Sequence, residues 1–409
     1  MIKRILHTSD WHLGRRLKEH DRSQEFRQFF SWLEHIISSE NIDALLVAGD
    51  IFDNTTPSVQ TQDMYYSFLS TLANSSCRHI IITSGNHDSP AFLDAPSELL
   101  KLNNIHVIGQ ARENPSQEVL VLTDPQNNPE LIVCAVPYLR DRDVRSARAE
   151  DSFEEMERSL KAGITRHYEE VFSCARGLRE KFDVPIVAMG HMFLEKGRTQ
   201  EDEGVRSLYV GTAVKIGSEI FPDDIAYTAL GHLHSPQSIE RENIRYSGSP
   251  IPMTFGEAEG PRKSVSIVEL DGHNFAGIRE VQIPVFQKLN RVQGSMQEIN
   301  TRLGLLCGTD ESIWLEVTLT GNQYTPNFQD NVNDCVKDFP LIEVLSLRNE
   351  STVRHESPDT DTLTNLGDIE PMKMFERRMD KEGIEEEKRY DYRNMYIEIL
   401  RKAEREGVH

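Results

Sequence analysis

The chain of 409 residues has few cysteines and no long hydrophobic run. Its five cysteines are scattered and form no CxxC pair, which fits a reducing compartment in which the thiols are small buried hydrophobes. No stretch of roughly 18 consecutive apolar residues occurs, so we expect no contact with a membrane. The first residues carry no signal-peptide pattern, and we therefore expect a cytoplasmic protein.

Positive charge is also scarce. The 45 lysines and arginines face 66 aspartates and glutamates, and the net charge is -21. Taken alone, this balance argues against a protein that coats nucleic acid. It leaves open an enzyme that meets DNA at one restricted site through metal ions, or one that borrows a basic surface from a partner. The chain also lacks a P-loop, a GxSxG nucleophile motif and an HExxH pair, so these common catalytic motifs do not explain its function.

Short apolar runs that end in glycine or polar residues recur through the first two thirds of the chain. They are found in the stretches ILHTSDWHLG, IDALLVAGDIFD, HIIITSGNHD, PIVAMGHMF and AYTALGHLH. We predict five strands buried on both faces, separated by helices over residues 24–39, 61–73 and 152–181. The pattern is that of an α/β protein, whose ligands bind beyond the carboxyl ends of the strands, and we expect all five ends on one rim of one sheet.

The remaining segments predict further units. Residues 119–136 have the pattern of a hairpin with DPQNNP as its turn, and residues 284–348 that of a small β-α-β-α-β unit. We predict a catalytic domain over 1–275, a capping α/β domain over 283–348, a polar linker over 349–370 and a helical tail over 371–409. In the tail, the apolar residues at helical spacing include Phe375, Tyr392, Tyr396 and Ile399. These residues either dock back on their own domain or bind a partner.

The polar residues at the five strand ends are typical metal ligands. They are Asp10, His12, Asp50, Asn86, His191, His232 and His234. One such residue more often caps a turn or packs in a core, but five strand ends out of five carry one. Seven ligands are too many for one ion, and oxygen and nitrogen donors without a thiolate suit Mn²⁺, Fe²⁺ or Zn²⁺. We predict two ions bridged by Asp50, as in two-metal phosphoryl transfer.

Four further residues near these ligands are candidates for a role, and for three of them a structural alternative is open. His87 follows Asn86 and is a candidate general acid for the leaving oxygen. Asp88 either orients that imidazole or caps the helix that begins near Pro90. Arg15 and Arg16 follow the first ligand pair and either contact a DNA backbone or lie in a solvated helix start.

The motif order SDWHLG, AGDIFD, GNHDS, MGHMF and GHLH resembles that of the calcineurin-like metallophosphoesterases, and YSGSPIPMTFGE extends the likeness to a bacterial DNA nuclease branch. The resemblance implies a four-layer αββα sandwich with a capping domain. It implies Mn²⁺-dependent exonuclease and endonuclease activity on DNA ends and hairpins. It also implies an SMC-like ATPase partner and a homodimer within a heterotetramer.

The same resemblance implies a role for each ligand. One metal is held by Asp10, His12, Asp50 and His234, and the other by Asp50, Asn86, His191 and His232. His87 is the implied catalytic histidine. Some relatives carry a second histidine three residues after the bridging aspartate, where this chain has Asp53. We expect Asp53 to support a ligand instead of binding metal.

Two other functions remain open from the sequence. A small-molecule phosphodiesterase or a protein phosphatase would use the same scaffold, although GDIFDN lacks the arginine that the protein phosphatases carry after this motif. A metal-binding scaffold with a decayed site would be the non-enzymatic alternative. The complete ligand set counts against it.

Overall fold

The computed structural model describes residues 4–144, 153–199, 214–306, 310–321, 327–350, 371–381, 388–390 and 392–397. By internal contacts the chain forms two units. One combines Met1–Val205 with Val214–Thr352, and the other combines Arg206–Ala213 with Val353–His409. Among the described helices, none is both long and apolar enough to cross a bilayer.

The strands lie close to the predicted positions. In chain order they are β1 (Arg4–Thr8), β2 (Arg16–Leu17), β3 (His20–Asp21), β4 (Ala44–Ala48), β5 (His79–Thr83), β6 (Ile105–Ile108), β7 (Val119–Thr123), β8 (Pro129–Ala135), β9 (Ile186–His191), β10 (Tyr227–Gly231), β11 (Gln237–Ile239), β12 (Arg241–Tyr246), β13 (Ser264–Asp271), β14 (Asn274–Gln282), β15 (Lys288–Gly294), β16 (Ile313–Leu319) and β17 (Ile342–Asn349).

The three long helices also match their predictions. The helices are α1 (Ser23–Ser39), α2 (Val59–Leu72), α3 (Pro90–Asp94), α4 (Ser97–Lys101), α5 (Asp141–Val144), α6 (Phe153–Phe182), α7 (Phe255–Ala258), α8 (Met296–Leu306), α9 (Phe328–Val336) and α10 (Pro371–Lys381), with short 3₁₀ turns at Pro115–Glu118 and Ser218–Ile220. Helix α1 forms because its apolar residues recur every three or four positions and fall on one buried face, with Phe26, Phe29 and Leu33 among them.

The predicted strands divide between two sheets, so the expectation of one sheet is wrong. Within the described chain, one six-stranded sheet has the order β14-β13-β1-β4-β5-β6 and the other β11-β12-β10-β9-β8-β7. The hairpin β7–β8 is antiparallel as predicted and begins the second sheet. Strands of both sheets are buried on both faces, so hydrophobicity alone does not say to which sheet a strand belongs.

The two sheets and their helices form the four layers αββα. Helices α1 and α2 pack on the outer face of the first sheet, where Phe29 and Phe68 meet Leu45. Helix α6 packs on the outer face of the second sheet through Tyr168 and Phe172. Between the sheets lies a third apolar cluster, which includes Leu46, Ile81, Val133, Val187 and Ala229. This packing fixes the strand ends of both sheets relative to one another.

The predicted β-α-β-α-β unit is confirmed as β15, α8, β16, α9 and β17, with a parallel sheet of order β15-β16-β17. Its core contains the alternating residues Ile313, Leu315 and Val317. This unit contacts the hairpin β2–β3, which follows the loop that carries Asp10 and His12. The contact is an apolar cluster that contains Leu17, Phe255 and Leu289. The domain limits drawn from the sequence stay predictions.

The second unit contains α10 and a helical stretch over 388–390 and 392–397. Phe375 and Tyr396 stack with ring centroids 4.1 Å apart, and Arg393 Nε donates to Glu376 Oε1 at 3.1 Å. Two of the residues predicted to dock on a partner therefore contact each other. Tyr392 is exposed, and Ile399 lies outside the described residues.

Candidate metal centre

The seven predicted ligands come together at facing ends of the two sheets. The loops after β1, β4 and β5 of the first sheet carry Asp10, His12, Asp50 and Asn86, and strand β9 and the loop after β10 of the second sheet carry His191, His232 and His234. Asp10, His12, Asp50, His191 and His234 are each no more than 2 % exposed. So many buried polar groups need a compensating charge or hydrogen bonds.

One group of ligand atoms combines Asp10 with two histidines. The Nε2 atoms of His12 and His234 are 3.1 Å apart. Together with a carboxylate oxygen of Asp10, they lie within 4.8 Å of one another. Two imidazole nitrogens and one carboxylate that converge from two loops fit a transition-metal ion.

A second group of ligand atoms surrounds Asn86. Its Oδ1 lies 3.0 Å from His191 Nε2 and 3.0 Å from His232 Nδ1. The other nitrogen of His191, Nδ1, donates to the carbonyl of Ala48 at 3.0 Å, which leaves the Nε2 lone pair for a ligand role. This group also fits a metal ion of mixed oxygen and nitrogen preference.

Asp50 lies between the two groups. Its Oδ2 is 3.5 Å from His12 Nε2 and 3.3 Å from His191 Nε2. Its Oδ1 accepts the backbone N–H of His87 at 2.9 Å, so one oxygen is used to fix the loop and the other faces both groups. This position is the one that a bridging carboxylate needs.

Charge and burial shift the pKa in opposite directions for Asp50 and His191, and in the same direction for His232. Burial by itself would raise the pKa of Asp50, but the nearby histidines, His191 first, hold it well below the ordinary value. Burial by itself would lower the pKa of His191, and the Asp50 charge raises it to about 9. For His232, burial and the charge of His191 lower the pKa to about 3. The negative charge of Asp50 and the neighbouring histidines therefore stabilise each other in this centre.

Several ligands sit on left-handed backbone. The φ angles are 51° at Asp10, 47° at His12, 49° at Asp50 and 103° at His232. Each such residue costs on the order of 1–3 kcal/mol, and functional sites are where proteins retain this strain. The loops are tied to each other, since Asp10 N donates to the carbonyl of Gly49 at 3.0 Å and His12 N to that of Asp50 at 2.9 Å.

His87 lies beside the first ligand group, with its ring centroid 4.7 Å from that of His12. Its Nδ1 donates to the carbonyl of Asp53 at 3.0 Å, and its Nε2 is 4.0 Å from Asp50 Oδ2. Burial, partly offset by the Asp50 charge, lowers the pKa of His87 to about 4. At neutral pH the ring therefore carries one proton, on Nδ1, and must gain a second before it can act as an acid.

Neither interpretation of Asp88 is correct. Its carboxylate accepts the backbone N–H groups of Ile51, Phe52 and Gly85 at 3.1, 2.9 and 2.8 Å, and in the described structure it does not contact the His87 ring. The cap of α3 is Ser89, whose side chain accepts from Phe92 N. Asp88 instead joins the loop after β5 to the loop after β4. Three backbone N–H groups converge on its carboxylate, and together they bind it more strongly than one imidazole would.

Asp53, Arg15 and Arg16 surround the first ligand loop. Asp53 Oδ1 lies 3.5 Å from His12 Nδ1 and accepts from Arg15 Nη1 at 3.2 Å. These contacts are consistent with the predicted support of a ligand by Asp53. Arg16 is exposed and donates to the carbonyl of Glu19 in its own hairpin. Of the two arginines, only Arg15 is tied to the metal centre.

The sequence interpretation missed Glu257 and Lys263. Both are buried, and Glu257 Oε1 lies 2.8 Å from His234 Nδ1. The pattern Thr254-Phe-Gly-Glu257 is that of a helix capping box, and Thr254 does cap α7 by accepting from Glu257 N. That local pattern predicts that the Glu257 carboxylate caps the start of a helix. It does not indicate that this carboxylate contacts a histidine 23 residues away in the sequence.

Comparison with known families agrees with this geometry. Residues 3–236 match the family model described as calcineurin-like phosphoesterase. Residues 285–383 match the model described as type 5 capsule protein repressor C-terminal domain. The second match covers the small β-α-β-α-β unit and α10.

Curated relatives are similar along most of the chain. The D subunit of the nuclease SbcCD from Escherichia coli strain K12 is 30% identical over 97% of this chain and 98% of its own length. The same subunit from Bacillus subtilis strain 168 is 33% identical over 77% and 78%. Among solved structures, TT1561 of Thermus thermophilus has 12% identity and a TM-score of 0.38, covering 69% of this chain and 100% of that one.

Proposed function

The chain belongs to the calcineurin-like phosphoesterases and, within them, to the D subunits of the SbcCD nucleases, and from this premise we propose how its site and its tail work on DNA. It is a metal-dependent phosphodiesterase. We assign it two Mn²⁺ ions, one held by Asp10, His12, Asp50 and His234 and the other by Asp50, Asn86, His191 and His232. The single observation that carries this assignment is the position of Asp50 Oδ2 between His12 and His191.

The ligand chemistry supports these ions. The donors are carboxylate, amide and imidazole, with no thiolate, which fits Mn²⁺ among the borderline ions. When bound, such a pair supplies an activated water and charge neutralisation at the phosphate. The protein's part is to hold the donors in place through strained loops and to exclude bulk water by burial.

We assign proton transfer to the leaving oxygen to His87. The hydrogen bond from Nδ1 to the Asp53 carbonyl fixes the ring so that Nε2 points towards Asp50 and the site. A ring fixed in this way exchanges its second proton at Nε2 only. Asp88 takes no part in this step and serves to hold the loop that carries His87.

The substrates we propose are DNA ends and hairpins, cut by exonuclease and endonuclease action in repair, recombination and replication. The chain carries -21 net charges, which oppose DNA phosphates, and Arg15 is one of the described cations next to the site. An SbcC-type SMC-like ATPase would therefore supply much of the affinity for DNA. We propose that the chain acts in the cytoplasm at the nucleoid, as a homodimer within a heterotetramer, and that the tail docks on the ATPase.

The test compares labelled blunt duplex DNA, hairpin DNA and bis(p-nitrophenyl) phosphate with the full chain and Mn²⁺, Mg²⁺ or chelator. We expect Mn²⁺-dependent cleavage of both DNA substrates and stimulation on duplex ends by the ATPase with ATP. Hydrolysis of the small diester without cleavage of either DNA, even with the ATPase, would indicate a small-molecule phosphodiesterase instead.

The tail is tested separately by ending the chain at residue 370. We expect the truncated chain to hydrolyse bis(p-nitrophenyl) phosphate normally and to lose ATPase binding in a pull-down. The substitution Phe375→Ala, which removes the stacking partner of Tyr396, should weaken the pull-down in the full chain. A truncated chain that still binds the ATPase would show that the docking surface lies elsewhere.

A further inference from the structure

We infer that Glu257, held by Lys263, is a positioning residue that sets the ring orientation and tautomer of His234. This inference rests on the proposed metal centre, because it assigns a task to a residue that contacts one of its ligands. A metal-binding imidazole usually donates its second N–H to a carboxylate or carbonyl, which fixes the ring and the tautomer. Glu257 supplies that acceptor for His234.

The contact has the geometry of this arrangement. His234 Nδ1 donates to Glu257 Oε1 at 2.8 Å, and the opposite nitrogen, Nε2, is the one that faces His12. Both side chains are 2 % exposed or less, so no water replaces the contact. Because the proton is held on Nδ1, the lone pair of Nε2 points into the first ligand group.

Lys263 and its neighbours hold the other oxygen of the carboxylate. Glu257 Oε2 accepts from Lys263 Nζ at 2.7 Å and from Met253 N at 3.0 Å. Lys263 Nζ also donates to the His234 carbonyl at 2.9 Å and to Ser249 Oγ at 2.8 Å. Lys263 therefore contacts both the backbone of His234 and the carboxylate that orients its ring.

The helix that carries Glu257 is itself anchored. In α7, Phe255 is buried in the apolar cluster shared with Leu17 and Leu289. Glu259, which directly follows α7, lies 3.5 Å from Arg291 of β15. The carboxylate is thus presented by a short helix fixed at both ends, which suits a positioning role.

Replacing Glu257 by glutamine reverses the hydrogen bonding while keeping the shape. The position of Oε2 faces three donors, Lys263 Nζ, Met253 N and Ser249 Oγ, so the amide oxygen must turn to that side. The amide NH₂ then faces His234 Nδ1 and donates to it. The ring proton moves to Nε2, and the lone pair that a metal needs is lost.

The experiment titrates the metal-free full chain with Mn²⁺ by calorimetry. For the wild type we expect two binding events. For Glu257→Gln we expect one event at unchanged affinity and one weakened roughly 10–100-fold, the usual effect of losing such a partner. Glu25→Gln is the matched control, since Glu25 is another buried carboxylate with a cationic partner, Arg22, at 2.7 Å. We expect it to bind both ions like the wild type.

A second readout uses ¹⁵N NMR of the histidine rings in the metal-free protein, with His234→Gln used for assignment. We expect the protonated nitrogen of His234 to be Nδ1 in the wild type and Nε2 in Glu257→Gln. A wild-type Nε2–H tautomer, or two wild-type affinities in Glu257→Gln, would overturn the inference. A wild-type chain that shows the Nδ1–H tautomer yet binds no Mn²⁺ would overturn the proposed metal centre and leave the positioning contact standing.

Discussion

The two six-stranded sheets contribute different chemistry to the proposed metal centre. The first sheet supplies every oxygen ligand, Asp10, Asp50 and Asn86, and the second supplies only imidazoles, His191, His232 and His234. His12 is the one imidazole among the ligands of the first sheet. Each proposed ligand group draws on both sheets, so neither sheet alone contains a complete group. The centre therefore depends on how the sheets are packed together.

Hydrogen bonds across the boundary between the sheets maintain this packing. His191 of the second sheet donates through Nδ1 to the carbonyl of Ala48 in the first, at 3.0 Å. His232 N donates to Asp10 Oδ1 at 2.8 Å. Ligands of one sheet are thus oriented by the backbone or side chains of the other. Changes at this boundary should affect metal binding more than changes on the outer layers.

The largest effect is expected from Asp50→Ala. Asp50 is the carboxylate that both ligand groups share, so neither group can make up for its loss. We expect metal content, measured by plasma emission, to fall from two ions to one or none, with no detectable hydrolysis. Asp224→Asn, which removes a carboxylate on the outer layer of the second sheet and no predicted ligand, is the control and should keep both ions. Two ions and normal turnover in Asp50→Ala would refute the bridge.

The next largest effect is expected from Gly231→Ala at the boundary. A Cβ at Gly231 would collide with the carbonyl oxygen of Ala48 and lie 2.8 Å from His191 Nδ1. Since backbone must move, we expect destabilisation of about 1–3 kcal/mol and weaker Mn²⁺ binding. Gly277→Ala in β14, where nothing lies within 4 Å, is the control and should be neutral. Thermal unfolding and calorimetry measure both, and equal behaviour of the two variants would contradict the tight boundary.

A smaller and more selective effect is expected from His87→Ala. The imidazole lies in the loop after β5 and is not a predicted ligand, so both ions should remain. We expect turnover on DNA to fall roughly 10²–10⁴-fold, the weight of general acid catalysis. Bis(p-nitrophenyl) phosphate has a leaving group that needs no proton, and the loss on it should be much smaller. Equal losses on both substrates would show that His87 does not protonate the leaving oxygen.

The sequence predicted the strand ends well but not their distribution between sheets. Gly49-Asp50 and Gly231-His232 both follow short buried strands, and this local pattern was sufficient to find polar residues that the fold brings together. The assignment of β1 and β10 to different sheets depends on long-range pairing that no local pattern contains. Asp88 was misjudged for a related reason, because its partners Ile51 and Phe52 belong to another loop. The left-handed backbone at His12 could not be predicted either, because a histidine in the sequence does not indicate that conformation.

The smallest effect is expected from Asp224→Asn, which concerns only the outer layer of the second sheet. Asp224 accepts from Arg176 Nη2 at 2.7 Å and Arg179 Nη2 at 2.8 Å, and so ties α6 to the turn before β10. The bond from Arg176, with that from Arg179, lowers its pKa from 3.8 to about 2 despite partial burial. A lowered pKa means that the stabilisation is present above pH 3.8 and is lost as the pH falls towards 2. We expect the variant to melt a few degrees below the wild type at pH 7, the two to converge near pH 2, and Mn²⁺ affinity to be unchanged. A difference in melting temperature that persists at pH 2, or a loss of metal affinity, would show that the outer layer and the metal centre are coupled.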